Sequence, residues 1–281
     1  MELQLNRVFS LLLAISAILA GCTKIEDFPA GESVDQRFVQ SMDWNKSHPD
    51  REIVVQSDDY VILAGADSHV GGTENLESFL KIAKTTNVSA VVMAGDLTTG
   101  QKEDYNVFES YYLTLHDSLP FFLIAGNHDL WYNGWNEFLQ RFGSSSYYFT
   151  VRTPSATDLF ISLDTGGGTL GGKQLEWLTG ILQTLRPDYR HCMVFTHNSL
   201  FRAKHEANTN LLVEEIVFLI DLFAIHRVEM VITAHDHVRD ATIFGMTTYI
   251  QIGALNVGES NAEYFKIIVG NENIDYDFVN I

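Results

Sequence analysis

The residues of this chain that could do chemistry gather at a few points. At residues 123–129, LIAGNHD, an apolar run ends in a glycine and delivers Asn127, His128 and Asp129 in succession. An amide oxygen can bind a metal ion, an imidazole can move a proton, and a carboxylate beside it can fix its orientation. Four further points repeat the pattern: Asp67-Ser68-His69, Gly95-Asp96, His197 and His235-Asp236-His237 each follow a short apolar run. Each alone is a weak sign, because a histidine after a strand is commonly a surface or core-edge residue. Five in one chain call for a common cause. Oxygen and nitrogen donors without a thiolate suit Mn, Fe, Zn or Co. Two such cations about 3.5–4 Å apart need a shared anionic ligand with neutral nitrogen donors around it. Alternate residues such as Asp67 and His69, or His235 and His237, can point the same way from an extended segment.

The elements that must position these residues are legible as alternating periods. Residues 60–64, 89–94, 120–125, 191–196 and 230–234 read as strands, each leading into one of the polar points. Between them, Leu76, Phe79, Leu80 and Ala83 follow helical spacing, as do Tyr105, Phe108, Tyr112 and Leu115. Further helices are expected over 135–142, stopped by Gly143, around Leu175, Leu178, Leu182 and Leu185 before Pro187, and over the strongly apolar 211–225. Strands at 147–151 and 159–163 interrupt the alternation, and strands at 247–252, 264–269 and 274–279 finish the chain. Ser33 with Gln36 reads as a capping box for a helix over 34–44, and 52–56 as a strand before the turn Ser57-Asp58-Asp59. The pattern is α/β with an antiparallel finish. Two mixed sheets packed face to face, with helices outside, would account for both halves.

The 281 residues, 46% hydrophobic, suffice for one large core. A net charge of −18 argues against a long nucleic acid as partner, since phosphate contacts need clustered Lys and Arg. It leaves room for a small phosphorylated substrate, because bound cations reverse the charge locally. Arg7, the apolar run 8–20 and Leu19-Ala20-Gly21-Cys22 resemble a bacterial lipoprotein signal. The expected division is therefore a signal peptide over 1–21, a tether and lead-in over 22–58, and one domain over 59–281. Cys22 would carry a lipid into a membrane of the cell envelope, and Thr23 after it points to the outer membrane. Cys192, inside an expected strand, reads as an inert core thiol.

Taken in order across residues 61–252, the five blocks resemble those of the calcineurin-like metallophosphoesterases. The resemblance implies a four-layer α/β/β/α sandwich of two mixed β-sheets flanked by helices, and a centre of two divalent metal ions. By matching positions, Asp67, His69 and His237 would hold one ion, Asn127, His197 and His235 the other, and Asp96 would bridge them. His128 would bind the phosphoryl oxygens or protonate the leaving group, with Asp129 orienting it. The implied activity is hydrolysis of a phosphomonoester or phosphodiester by a hydroxide bound to both metals. The alternatives are a non-catalytic scaffold of the same fold and a phosphate- or nucleotide-binding lipoprotein. The complete ligand set and the presence of His128 favour the enzyme.

The sequence departs from the family at Ala234, where glycine is usual. Thr99 stands where purple acid phosphatases have a tyrosine, so a colourless site is expected. Leu163-Asp164-Thr165 with Leu175-Glu176-Trp177-Leu178 is similar to the cyclic-nucleotide phosphodiesterase-like branch. Trp131 and Tyr132 suit either stacking on an aromatic leaving group or loop packing. Arg202, Lys204 and His205 read as a solvated loop before phosphate contacts, and His48, His116, His191 and His226 as structural.

Overall fold

The computed structural model describes residues 31–49, 51–202, 209–259 and 261–281. The expected signal segment, Cys22, Lys204 and His205 lie outside the described residues. In chain order the elements are α1 (Val34–Ser47), β1 (Glu52–Val54), β2 (Tyr60–Gly65), α2 (Glu74–Thr85), β3 (Ala90–Ala94), α3 (Lys102–Tyr112) and β4 (Phe121–Ile124). A short 3-10 turn over His128–Asn133 leads to α4 (Gly134–Phe142), β5 (Tyr147–Arg152), β6 (Thr157–Leu163), α5 (Gly171–Thr184), β7 (Cys192–Thr196) and α6 (Val213–Ile225). The chain finishes with β8 (Met230–Thr233), β9 (Asp240–Phe244), β10 (Thr247–Gln251), β11 (Glu263–Val269) and β12 (Ile274–Asn280).

The strands form a five-stranded sheet, β12-β11-β2-β3-β4, and a seven-stranded sheet, β1-β5-β6-β7-β8-β10-β9. Both are mixed. β2, β3 and β4 run parallel, while β11 lies antiparallel to β2. β6, β7, β8 and β10 run parallel, while β5 and β9 are antiparallel to their neighbours β6 and β10. Side chains alternate across each strand, and this alternation builds the layers. Ile62 and Ala64 of β2 point into the layer between the sheets, with Val92, Ile124, Phe149, Phe160, Phe195 and Ile232. Leu63 points the other way, to a layer closed by Phe79 of α2, Phe108 of α3 and Phe138 of α4. On the far side Ile161, Val194 and Val231 are covered by Leu178 and Leu182 of α5 and Leu219 and Phe223 of α6. The result is the four-layer α/β/β/α sandwich. Each fully buried Leu or Phe contributes about 1.5–3 kcal/mol to it.

Parallel strands deliver their carboxyl ends to one edge of a sheet, where open α/β sheets gather their functional loops. β2, β3 and β4 do so for one sheet and β7 and β8 for the other. The five polar points of the sequence lie in the loops that follow these five strands.

Three features differ from expectation. The lead-in is part of the domain from Glu32 onward. Ser33 and Gln36 form the expected reciprocal cap. Helix α1 then docks through a buried ion pair between Arg37 and Asp164 at 2.7 Å, with Phe38 against Trp177. β1 pairs in parallel with β5. Of the tether and lead-in expected over 22–58, the part from Glu32 onward packs with the domain expected over 59–281. The second difference is β9, an edge strand that sequence periodicity missed because all five of its residues are exposed. Lastly, α6 is strongly apolar, yet it buries one face and leaves Val213, Val217 and Ile225 exposed. Cys192 is buried as expected, its thiol pushed up to about 12 by burial. Among the described residues no helix is long and apolar enough to cross a membrane.

Candidate metal centre

The donors converge through backbone turns rather than through extended alternation. Asp67, His69, Asp96, His235 and His237 all have positive φ, from 39° to 79°, and make up five of the eight such non-glycine residues among those described. The left-handed region costs a side-chain-bearing residue roughly 1–3 kcal/mol and persists only where the surroundings enforce it. Here the enforcement is a set of backbone bonds between loops. Asp67 N donates to Gly95 O at 3.0 Å, His69 N to Asp96 O at 3.1 Å, and Ala234 N to His197 O at 2.8 Å. Side chains add to it: His235 N donates to Asp67 Oδ2 at 3.1 Å and His128 N to Asp96 Oδ1 at 2.8 Å. Gly126 is required by packing, since a Cβ there would enter the space of the Asp96 carboxylate and amide. The methyl of Ala234 is absorbed in the layer between the sheets.

Three groups of side chains place their ligand atoms within 4.8 Å of one another: Asp67 with His69 and His237, His69 with Asp96 and His128, and Asp96 with His197 and His235. Asp96 is the hinge of the arrangement. Its Oδ2 lies 3.3 Å from His197 Nε2, 3.6 Å from His69 Nε2 and 4.0 Å from His128 Nε2. His197 Nε2 is also 3.2 Å from Asn127 Oδ1 and 3.1 Å from His235 Nδ1. In the first group His237 Nε2 lies 3.5 Å from Asp67 Oδ1 and 3.2 Å from His69 Nε2. All seven ligand positions expected from the sequence are thus brought together.

Two imidazoles are held with Nε2 facing inward. The Ala94 carbonyl lies 2.9 Å from His197 Nδ1 and can only accept, so Nδ1 carries a proton and Nε2 is turned toward Asp96. Glu259 does the same for His237, with Oε1 2.9 Å from Nδ1. Sequence reasoning missed Glu259, which lies in a loop after β10 with no motif around it.

The donor set fits cations. Asp67 Oδ1 is buried and has no hydrogen-bond partner, a costly state for a carboxylate oxygen unless an ion satisfies it. Burial alone would push the Asp96 carboxyl up, but His197, His69 and His128 hold it well below its ordinary range. Burial would lower His197, yet the Asp96 charge raises it to about 9. The Asp67 carboxylate beside it raises His237 to about 9 against burial. Protons on these two histidines thus supply the positive charge that bound cations would bring. Burial and the neighbouring His197 lower His235 to about 4, so it stays a neutral donor.

His128 lines the mouth of the centre, in a cavity of about 1040 Å³. Burial holds it below its ordinary value against the pull of Asp96. Its ring packs on Trp131, with centroids 3.8 Å apart, and meets the edge of His69 at 4.5 Å. Asp129 does not orient it. The Asp129 carboxylate is fully buried and accepts from the amides of Leu97, Thr98 and Gly126 and from the Thr98 hydroxyl, at 2.9–3.2 Å. Burial and the charge of Asp96 raise it to about 7, against the pull of these donors. Asp129 therefore fastens the loop after β4 to the loop after β3, and Trp131 supports the imidazole.

A profile of the calcineurin-like phosphoesterases matches residues 60–239, well over half of the chain. The chain belongs to this family. Solved structures agree on the fold. A dimetal phosphatase of Danio rerio is 13% identical, covers 79% of this chain and 96% of its own, and superposes with a TM-score of 0.65. The GAP50 anchor of the Plasmodium inner membrane complex gives 14%, 79%, 84% and 0.63. Purple acid phosphatase PPD1 of yellow lupin gives 12% identity and 0.62, with 79% of this chain spanning 52% of that one. No curated protein sequence matches the chain. Among phosphoesterases of this fold, the tyrosine expected of a purple site is replaced here by Thr99, whose hydroxyl is taken by Asp104.

Of the remaining sequence candidates, Arg202 is an anchored residue rather than a solvated one. Its guanidinium donates to both oxygens of Asp236 and to Thr209. His191 is structural, with Nδ1 3.2 Å from Glu229 and Nε2 3.1 Å from the Gly270 carbonyl. Asp164, in the block similar to the cyclic-nucleotide branch, is the buried partner of Arg37.

Proposed function

We propose that the chain hydrolyses a small phosphoester, monoester or diester, with two divalent cations held in this centre. Asp67, His69 and His237 would hold one, Asn127, His197 and His235 the other, and Asp96 both. The observation that carries this reading is the position of Asp96, a buried carboxylate whose Oδ2 lies 3.6 Å from His69 of one donor set and 3.3 Å from His197 of the other. Bound there, the cations would supply Lewis acidity that makes water a nucleophile at neutral pH. The chain's own residues do the rest. Ala94 and Glu259 fix the histidine tautomers, and Asp129 fixes the loop that presents Asn127 and His128. His128 offers an N–H to a phosphoryl oxygen, or a proton to the leaving oxygen as its bond to phosphorus breaks. We further propose, from Leu19-Ala20-Gly21-Cys22, that a lipid on Cys22 anchors the protein in the outer membrane of a bacterial envelope.

A panel of phosphomonoesters and phosphodiesters, presented to the soluble chain loaded with Mn, Fe, Zn or Co, tests the activity. At least one class should be hydrolysed and the rate abolished by chelation. No hydrolysis by any loaded form would favour the scaffold reading.

A further inference from the structure

The cavity over the centre has an aromatic wall that the proposed hydrolysis does not use. Trp131 and Tyr132 line it beside His128. The two residues are 47% and 72% exposed. A tryptophan that serves packing alone is normally covered. Here one side of the Trp131 ring rests on His128 and much of the rest is open.

The backbone holds this pair in place at a cost. Tyr132 and Asn133 are consecutive left-handed residues, with φ of 52° and 62°. Two adjacent non-glycine residues in that region need strong enforcement. It comes from both ends of the turn. Tyr105 donates its hydroxyl to Asp129 O at 2.6 Å. Gly100, at φ +85°, lets its backbone approach so closely that a Cβ there would lie 2.7 Å from Trp131 O and 2.9 Å from Trp131 Cβ. Strain at this turn turns Tyr132 outward and keeps Trp131 against the imidazole.

Charge restricts what the wall can face. Among the described residues lining the cavity, Arg202 is the one arginine or lysine, and Asp236 holds it through both oxygens. With His237 engaged as a ligand, nothing else described there would balance a second phosphate. The leaving group best matched to this surface is flat and uncharged.

We propose that Trp131, with Tyr132 beside it, is the platform on which the aromatic leaving group of a single-phosphate ester stacks. It would select nucleoside and aryl phosphoesters over base-free sugar or alkyl ones. This deepens the proposed phosphoester hydrolysis and rests on that reading for turnover, though the stacking can be measured without it.

The test compares adenosine 5′-monophosphate with ribose 5-phosphate, which share a leaving alkoxide and differ by the base. Their binding to the metal-loaded chain is measured by calorimetry, and kcat/KM wherever turnover is seen, for the native chain, Trp131→Ala and Trp131→Phe. The native chain should prefer the nucleotide, and Trp131→Ala should cut that preference by about 5- to 100-fold, the usual worth of one base–aromatic stack. Trp131→Phe should retain most of it. Equal losses on both ligands would overturn the proposal and leave Trp131 as a support for His128. Equal binding of the two ligands to the native chain, or no binding of either, would also overturn it. Nucleotide binding that depends on Trp131 without hydrolysis of any ester would uphold the platform and sink the proposed activity instead.

Discussion

Asp129 separates the architecture of the site from its chemistry. Its buried carboxylate is the acceptor for three amides and one hydroxyl. Asp129→Ala removes the acceptor from all four donors at once. A buried donor without a partner costs about 1–3 kcal/mol, and water entering the vacated space can satisfy some of them again. The expected loss of stability is therefore about 3–6 kcal/mol. Asp129→Asn keeps the shape, but its amide nitrogen must face either Thr98 or the pair Leu97 and Gly126. Donor then meets donor in both rotamers, and the loss should be about 2–4 kcal/mol. Urea unfolding at constant m-value measures both. If Asp129 instead oriented His128, the asparagine variant would lose turnover with its stability nearly intact. A shift under about 0.5 kcal/mol in Asp129→Asn would refute the loop-fastening role.

Further outcomes follow from the same geometry. His128→Ala removes no expected ligand, so metal content should stay constant while turnover of a poor leaving group falls about 10²–10⁴-fold. A much smaller loss on nitrophenyl esters would assign proton donation, and equal losses would assign phosphate binding. For His191, burial opposes the charged ring, but Glu229 and the Gly270 carbonyl outweigh it and raise its value. Its stabilisation is complete below the unfolded value of about 6.5 and fades as pH rises through the raised folded value. Denaturation of the native chain and His191→Gln from pH 6 to 9 should show the native advantage shrinking, and a constant advantage would contradict this. Cys22→Ser should yield an uncleaved or soluble precursor, and unchanged membrane fractionation would remove the anchor.

The parts of the fold that a sequence can announce are those whose signal is local. Strand-then-glycine blocks located Asp96 and Asn127, and the pair Ser33 and Gln36 located the start of α1 to the residue. What stayed hidden depends on distant partners. Nothing near Arg37 reveals that it will be buried against Asp164, so α1 read as a lead-in. Glu259 becomes the support of His237 only once the loop after β10 folds over it. Asp129, next to His128 in sequence, was expected to act on it, but the 3-10 turn sends its carboxylate the other way, into the amides of the neighbouring loop. The extended alternation expected of Asp67 and His69 fails because their positive φ bends both residues onto one centre. β9 carries no buried face, so the period-two signal had no physical basis there.

The central claim is that Asp96 is shared by two cations. It is tested most directly by elemental analysis of the purified chain after loading with Mn or Zn and removal of excess ion. A plateau at two ions per chain is expected, since Asp67, His69 and His237 on one side of Asp96 and Asn127, His197 and His235 on the other form separate donor groups. A plateau at one ion per chain would contradict it.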